Sequence, residues 1–241
     1  MALKPQDRLI VAADYDPGDG GREQVKAKVL SLTKALKGTG VYIKVNSALR
    51  LDGYGLIDEI KSQGLRVFAD LKLFDISATL KIDGRLLALE EAPEILTTVC
   101  GVGRSSIKAL RAELPETEIL GVTVLTSLGE AEVKEMTSRS SQEAVLQFAK
   151  IGAEAGVDGL VASGLEVEAL RAKFPSLTLN TPGIRPKWAM VPGDDQARVV
   201  TPGQAIKSGA DRVVVGRPIT TARDPYRAVM YTLAELSTVD L

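Results

Sequence analysis

The stretch that decides the fold reads Phe68-Ala69-Asp70-Leu71-Lys72-Leu73-Phe74-Asp75-Ile76. Apolar and polar side chains alternate through residue 72, which is typical of a strand. Asp70 and Lys72 lie two residues apart, so a strand would place them on the same face. Asp75 follows beyond the expected strand end, where the chain is able to turn back toward them. Unpaired charge is costly in a core, whereas the carboxyl ends of strands in a parallel α/β barrel are where active sites form.

A structural explanation of the same charges stays open at this point. Asp70 and Lys72 also suit a structural ion pair, and Asp75 also suits the N-cap of a following helix. The remainder of the chain has to decide between the two explanations.

Composition excludes several kinds of chemistry. The 241 residues are 45% hydrophobic and 25% charged, which fits one large globular domain over residues 1–241. There is no histidine and a single cysteine, Cys100. Histidine-based catalysis, histidine or cysteine metal sites and internal disulfides are therefore excluded. Proton transfer must fall to Lys, Asp, Glu or Tyr, and we expect no metal site.

Charge and hydropathy indicate a protein without nucleic-acid or membrane partners. The formal net charge is −1, and the basic residues are spread along the chain. No apolar run approaches the roughly 20 residues that span a bilayer. Residues 1–8 also lack the apolar region of a signal peptide. We therefore expect a soluble, cytoplasmic protein.

Strand and helix patterns alternate along the whole chain. Short apolar runs that end in polar or glycine-rich loops indicate buried parallel strands. The predicted strands cover 9–13, 41–45, the stretch from 68, 95–99, 119–124, 159–161, 177–179 and 212–215. The predicted helices cover 22–36, 54–62, 78–89, 105–112, 142–155, 165–172, 202–207 and 225–236. Eight such units in about 240 residues indicate an α/β protein with a closed (β/α)8 barrel, the TIM barrel; a doubly wound open sheet is the alternative.

Polar residues recur where the predicted strands end. They are Asp14, Lys44, Asp70, Lys72, Thr126 and Arg217. Each alone is compatible with a salt bridge at the rim or a helix cap. In a barrel, however, the strand ends meet on one face, so these side chains should converge there.

Two segments near the carboxyl end of the chain suit a phosphate group. Gly216-Arg217-Pro218 follows the last predicted strand, a position where barrels often bind phosphate. Glycine lets the backbone approach an oxyanion, and arginine binds phosphate bidentately. Residues 181–200 form a loop of about 20 residues, long enough to be functional. We interpret it as a lid over the phosphate, with a disordered excursion as the alternative.

The residues at 70–76 resemble the D-x-K-x-x-D-I motif of the orotidine 5′-monophosphate decarboxylase family, which sugar-phosphate enzymes of the same suprafamily share. Residues 122–127 are similar to the family's fifth-strand segment. Residues 181–186 and 195–196 are similar to its phosphate loop, and 199–202 and 214–219 to the ends of its last two strands. The resemblance covers nearly the whole chain. It departs from the family pattern at Asn46, at Ser77-Ala78 and at 100–103.

The resemblance implies a homodimer that decarboxylates orotidine 5′-monophosphate to uridine 5′-monophosphate in de novo pyrimidine biosynthesis, with no cofactor. It implies a catalytic set of Lys72 as proton donor to the ring carbanion, Asp70 near the departing carboxylate, and Lys44 and Asp75, which hold the charges in place. It implies substrate binding by Asp14 to ribose, Thr126 to the pyrimidine, and Gln196 and Arg217 to phosphate, with Pro182 and Gly216 beside them. Asp75, Ile76 and Thr79 would reach the neighbouring subunit's site.

Two alternatives stay open. A Mg²⁺-dependent 3-keto-L-gulonate 6-phosphate decarboxylase or hexulose-phosphate synthase would use the same D-x-K-x-x-D residues, although Thr126 and the 181–186 segment argue against these enzymes. A non-catalytic nucleotide-binding barrel is the second alternative. The intact set of Lys44, Asp70, Lys72 and Asp75 argues against it.

Overall fold

Parallel strands pair in chain order until the last strand meets the first. The computed structural model describes residues 3–89, 91–190 and 200–239. The strands in this part of the chain are β1 Leu9–Ala12, β2 Tyr42–Val45, β3 Arg66–Leu73, β4 Ile95–Val99, β5 Glu118–Val122, β6 Gly159–Val161, β7 Thr178–Thr181 and β8 Arg212–Val215. They form one closed barrel, in which β8 also pairs with β1. The predicted (β/α)8 barrel is therefore confirmed, and the open sheet is wrong.

Helices cover the outside of the barrel. The helices of the described residues are α1 Pro5–Arg8, α2 Gly21–Ala35, α3 Ser47–Asp52, α4 Gly55–Lys61, α5 Ser77–Leu89, α6 Arg104–Glu113, α7 Glu130–Thr137, α8 Ser141–Ala155, α9 Val167–Lys173, α10 Pro202–Lys207, α11 Arg217–Thr220 and α12 Pro225–Ser237. The sequence pattern misses α1, α3, α7 and α11. Helices this short are marginal alone and depend on the packing around them, so periodicity is a weak guide to them.

Strand alternation divides the core into two layers. Outward residues such as Val67, Ala69 and Leu71 join the large cluster between barrel and helices. Inward residues form a smaller cluster inside the barrel: Ile10, Ala12, Tyr42, Phe68, Ile95, Leu120 and Val214. Phe68 is almost fully buried and also contributes to the floor of the pocket above it. The apolar inner layer thus closes the barrel beneath the strand ends.

Charged groups close the opposite, amino-terminal end of the barrel. Arg212 Nη1 donates to Glu118 Oε1 at 2.8 Å. The Arg66 guanidinium lies 3.8 Å from the centre of the Tyr42 ring, close enough for a cation–π interaction. In a barrel of this kind, the amino-terminal end serves stability and leaves the carboxyl end for chemistry.

Strand ends differ from the sequence prediction where neighbouring strands set the limit. β5 ends at Val122, two residues before the predicted end, because its partner β6 pairs only through Val161 opposite Val122. β7 continues to Thr181 because Asn180 and Thr181 pair with β8. Those two residues are polar yet fully buried, so the apolar pattern does not predict them.

Cys100 fills a space that two glycines leave open. The cysteine is fully buried, and burial raises the pKa of its thiol to about 12. A Cβ on Gly121 would lie 2.4 Å from Cys100 Sγ, and one on Gly152 would lie 2.9 Å from it. The cysteine therefore has the packing role of a small apolar residue.

Gly121→Ala should destabilise the barrel because the new methyl group collides with Cys100. Overpacking of this kind costs about 1–3 kcal/mol. In a Cys100→Ala background the obstructing sulfur is gone, so the same substitution should cost much less. Urea denaturation of the wild type, both single variants and the double variant measures this coupling. Equal costs in the two backgrounds would show that Cys100 does not limit the space.

Candidate active site

A cavity of about 280 Å³ opens at the carboxyl ends of the strands. Its lining includes seven residues that the sequence points to, namely Asp14, Lys44, Asp70, Lys72, Thr126, Pro182 and Gly216. The floor is apolar, formed by Ala12, Phe68 and Val214 of the inner layer. Charged side chains therefore surround the upper part of the pocket, and its floor is apolar.

Four of these side chains form a continuous chain of ion pairs, which we call the lysine–aspartate array: Asp14, Lys44, Asp70 and Lys72. Asp70 Oδ2 lies 2.7 Å from Lys72 Nζ and 3.3 Å from Lys44 Nζ. Lys44 Nζ also donates to Asp14 Oδ2 at 2.7 Å. Charges of opposite sign thus alternate through the array, which lowers the cost of packing them together.

The central carboxylate is buried and ionised. Only 7% of Asp70 is exposed. Burial is the largest single influence on this group and opposes ionisation. The charges of Lys44 and Lys72, with hydrogen bonds from Lys72 and Thr97, together outweigh burial, so the pKa of Asp70 lies below its ordinary value. Asp70 is therefore a carboxylate at neutral pH.

The backbone of β3 departs from regular strand geometry where it carries Lys72. Pairing with β4 shifts register between Ala69 and Leu73, and Lys72 has a φ of 48°. A left-handed backbone costs a residue with a side chain roughly 1–2 kcal/mol. Strain of this size persists only where surrounding contacts impose it, and such places are often functional.

Thr97 of β4 contacts this irregular segment and is a residue that the sequence analysis misses. Its Oγ1 accepts a hydrogen bond from the Lys72 backbone N–H at 2.9 Å and donates one to Asp70 Oδ1 at 3.0 Å. Thr97 is fully buried. The sequence feature that could have identified Thr97 is its hydroxyl two residues after Ile95, which places it on the strand face that points into the barrel.

The residues after β3 lie outside the pocket of their own chain. Asp75 is exposed, and its Oδ1 accepts a hydrogen bond from the adjacent Ile76 N–H at 2.7 Å. Ile76 is 69% exposed, and Thr79 lies in the first turn of α5. Asp75 therefore does not turn back toward Asp70 within one chain, and its carboxylate accepts from Ile76 instead of from the first turn of α5.

The segments that the sequence predicts to bind phosphate lie beside the pocket in part. Gly216 and Pro182 line it, while Arg217 begins α11 with an exposed side chain. Gln196 lies outside the described residues, as does most of the second half of the predicted lid.

The described first half of that loop packs against the body of the protein. Ile184 forms a parallel bridge with Val200, and Trp188 Nε1 donates to Thr232 Oγ1 of α12 at 3.2 Å.

Within residues 3–89, 91–190 and 200–239, no three His, Cys, Asp or Glu side chains are grouped to hold a metal ion. In the same ranges, no helix combines the length and apolar character needed to cross a membrane.

The fold and the pocket together define a class of protein. A closed parallel barrel with paired lysines and aspartates at its strand ends is an α/β-barrel enzyme equipped to stabilise negative charge on a bound substrate. A family model described as "Orotidine 5′-phosphate decarboxylase / HUMPS family" matches residues 7–230. This chain belongs to that family.

Individual relatives agree over their whole length. The orotidine 5′-phosphate decarboxylase of Pseudomonas putida strain GB-1 is 37% identical over 238 residues, which cover 96% of this chain and 97% of the relative. That of Pseudomonas savastanoi pv. phaseolicola is 39% identical over 96% of this chain and 98% of the relative. The crystal structure of orotidine 5′-phosphate decarboxylase from Lactobacillus acidophilus superposes with a TM-score of 0.79 at 30% identity, covering 96% of this chain and all of that one.

Asp70→Asn should make stability less sensitive to acid. Because the pKa of Asp70 is lower in the folded than in the unfolded chain, this carboxylate stabilises the fold above its unfolded pKa of about 3.9, and that contribution is lost as pH falls through the folded pKa. An amide has no such titration. Urea denaturation between about pH 6 and pH 3 should show a shallower decline in the variant. Parallel declines in both proteins would contradict the low pKa.

Proposed function

We propose that this chain decarboxylates orotidine 5′-monophosphate to uridine 5′-monophosphate and CO₂, with Lys72 as the proton donor. The observation that carries the proposal is the lysine–aspartate array in the barrel pocket. It is found in a chain whose relatives, 37–39% identical over 96% of its length, are orotidine 5′-phosphate decarboxylases. The reaction belongs to de novo pyrimidine biosynthesis. A cytoplasmic location is part of the proposal and rests on the sequence.

Loss of CO₂ requires the pocket to stabilise a carbanion. The bond between the ring carbon and the carboxylate breaks, its electron pair stays on the ring carbon, and a proton must then bond there. The Lys72 ammonium supports both steps, first by attraction to the developing charge and then by giving up a proton. It already has a fixed partner in Asp70 at 2.7 Å, so little reorganisation is needed when the substrate reacts.

Asp70 gives the pocket a fixed negative charge close to Lys72. Its low pKa keeps it ionised, so it would repel the substrate carboxylate and favour that group's departure as neutral CO₂. Lys44 offsets part of this repulsion and holds Asp70 from the other side. The charges are thus arranged for the transition state before the substrate binds.

The remainder of the substrate would bind around this centre. Asp14 is half exposed at the rim, where it can accept hydrogen bonds from ribose hydroxyls. Thr126 would bind the pyrimidine. Gly216, Arg217 and Gln196 would bind the phosphate, with Pro182 beside them. Binding energy from a phosphate remote from the reacting carbon can be used to lower the barrier there.

A homodimer with shared sites is the second part of the proposal. Large apolar side chains are exposed on α5 and the segment before it, with Phe74 at 64%, Ile76 at 69% and Ile82 at 55%. Large apolar side chains exposed close together along the chain favour an interface. The same segment carries Asp75 and Thr79, so a two-fold axis here would bring these residues and Ile76 to the partner's pocket.

The reaction is tested by measuring the activity of the purified chain. The change in absorbance reports the consumption of orotidine 5′-monophosphate. We expect full turnover in excess EDTA and none that depends on added Mg²⁺.

Lys72→Ala should lower kcat by about 10²–10⁴-fold or more while uridine 5′-monophosphate still binds. Arg217→Ala should mainly raise KM, by about 10-fold or more, because a charge-assisted hydrogen bond is lost.

Lys150→Ala is the matched control, because this lysine is exposed on α8, outside the pocket and the proposed interface, and is paired with Glu154. It should leave kcat unchanged. A chain that is inactive on this substrate, or active only with Mg²⁺ on a sugar phosphate, would overturn the proposed reaction. A nearly normal kcat in Lys72→Ala would remove Lys72 as the proton donor.

Mixing two inactive variants tests the shared site. Lys72→Ala and Asp75→Ala are unfolded together and refolded at equal concentrations. In a mixed dimer, one site collects both defects, while the other combines an intact Lys72 with the partner's intact Asp75. Random assortment makes half of the dimers mixed, so roughly a quarter of all sites should recover activity. Mixed dimers without any recovery would show that Asp75 serves its own chain.

A further inference from the structure

Thr97 lies behind the lysine–aspartate array and makes two hydrogen bonds to it. Its hydroxyl accepts from the Lys72 backbone and donates to Asp70, and the side chain is fully buried on the inner face of β4. Among the described residues, those that line the pocket do not include Thr97. Any influence on the reaction therefore acts through Asp70 and Lys72.

The direction of the first hydrogen bond is fixed by chemistry, and that of the second follows from the ionised state of Asp70. A backbone N–H can only donate, so the Thr97 oxygen must accept at Lys72. The single hydroxyl proton is then free to point at Asp70 Oδ1, and an ionised carboxylate can only accept. The arrangement therefore suits an ionised Asp70, whose Oδ1 accepts the Thr97 proton.

The two carboxylate oxygens of Asp70 have different partners. Oδ1 is occupied by Thr97, while Oδ2 faces both Lys72 Nζ and Lys44 Nζ. Rotation of the carboxylate would break the contact with Thr97 and change both ion pairs. The same hydroxyl provides the acceptor for the Lys72 N–H at the point where the backbone is left-handed.

We propose that Thr97 is a positioning residue for the decarboxylation, an inference that rests on the proposed function. Its hydroxyl fixes the plane of the Asp70 carboxylate and the backbone of Lys72 together, so that one carboxylate oxygen faces both ammonium groups. Without it, the two groups that act on the reacting carbon lose their mutual alignment. Residues that lock the orientation of catalytic side chains typically have large effects on rate.

The adjacent residue, Thr98, is a matched control. It is fully buried on the same strand, and its Oγ1 donates to the Leu73 carbonyl of β3 at 2.9 Å. It points to the helix side of the barrel, away from the array, and its hydroxyl is used by the Leu73 carbonyl. Thr97→Val and Thr98→Val therefore each remove one buried hydroxyl that links β4 to β3, and only the first faces the charges.

The experiment measures kcat and KM for orotidine 5′-monophosphate, together with thermal stability, in the wild type, Thr97→Val, Thr97→Ser and Thr98→Val. Thr97→Val should lower kcat by about 10-fold or more with KM changed by less than about threefold, because ribose and phosphate bind elsewhere. Thr97→Ser keeps the hydroxyl and should restore most of kcat. Thr98→Val should lose stability without the fall in kcat.

Several results would overturn the inference. They are an unchanged kcat in Thr97→Val, an equal fall in Thr98→Val, or a serine variant no better than valine. If Thr97→Val does not fold, Thr97→Ala against Thr97→Ser gives the same comparison, because both remove the γ-methyl group and only serine keeps the oxygen. An inactive wild type would overturn the proposed function itself. An active wild type whose kcat does not change when Thr97 is replaced would overturn this inference alone.

Discussion

The sharing of one buried carboxylate by two ammonium groups is the constraint on which the site depends. Asp70 lies almost out of contact with water, and an unpaired charge there would be expelled or neutralised. Lys44 and Lys72 prevent this from adjacent strands, and Asp14 then balances Lys44. Such an arrangement needs β1, β2 and β3 side by side in parallel, with their carboxyl ends level. A closed barrel in chain order provides that arrangement.

The barrel separates the groups that stabilise it from the groups for which we propose a catalytic role. Arg212, Glu118 and Arg66 close the amino-terminal end, and an apolar layer around Phe68 lies between them and the pocket. Stability gained in these layers allows the carboxyl end to keep an unfavourable backbone at Lys72. This is why the strain is found at the end of β3 and not within its buried middle.

Sequence reasoning succeeds where a single strand carries the information. Ile95 and Leu96 are apolar on both faces of their strand, as are the three valines at 213–215, which is typical of buried parallel strands. The predicted strands 95–99 and 212–215 are both found with those bounds. Asp14, Lys44, Asp70 and Lys72 follow from their positions at strand ends. Thr97 does not, because its partners are created by the register shift between β3 and β4, a property of the assembled sheet. The same holds for α3 and α7, whose helical state depends on packing.

The two lysines of the array differ in ways that separate their proposed roles. Lys44 contacts carboxylates on two sides, at 2.7 and 3.3 Å, and only 10% of its side chain is exposed. Among the described residues, Lys72 is paired with Asp70 alone, and 31% of its side chain is exposed. A proton donor must lose a proton during each turnover and regain it from solvent. Deprotonating Lys44 would leave two carboxylates without their shared cation, whereas Lys72 has one partner, which Lys44 continues to neutralise, and a path to water. The geometry therefore favours Lys72 as the group that gives the proton and Lys44 as the group that keeps its charge.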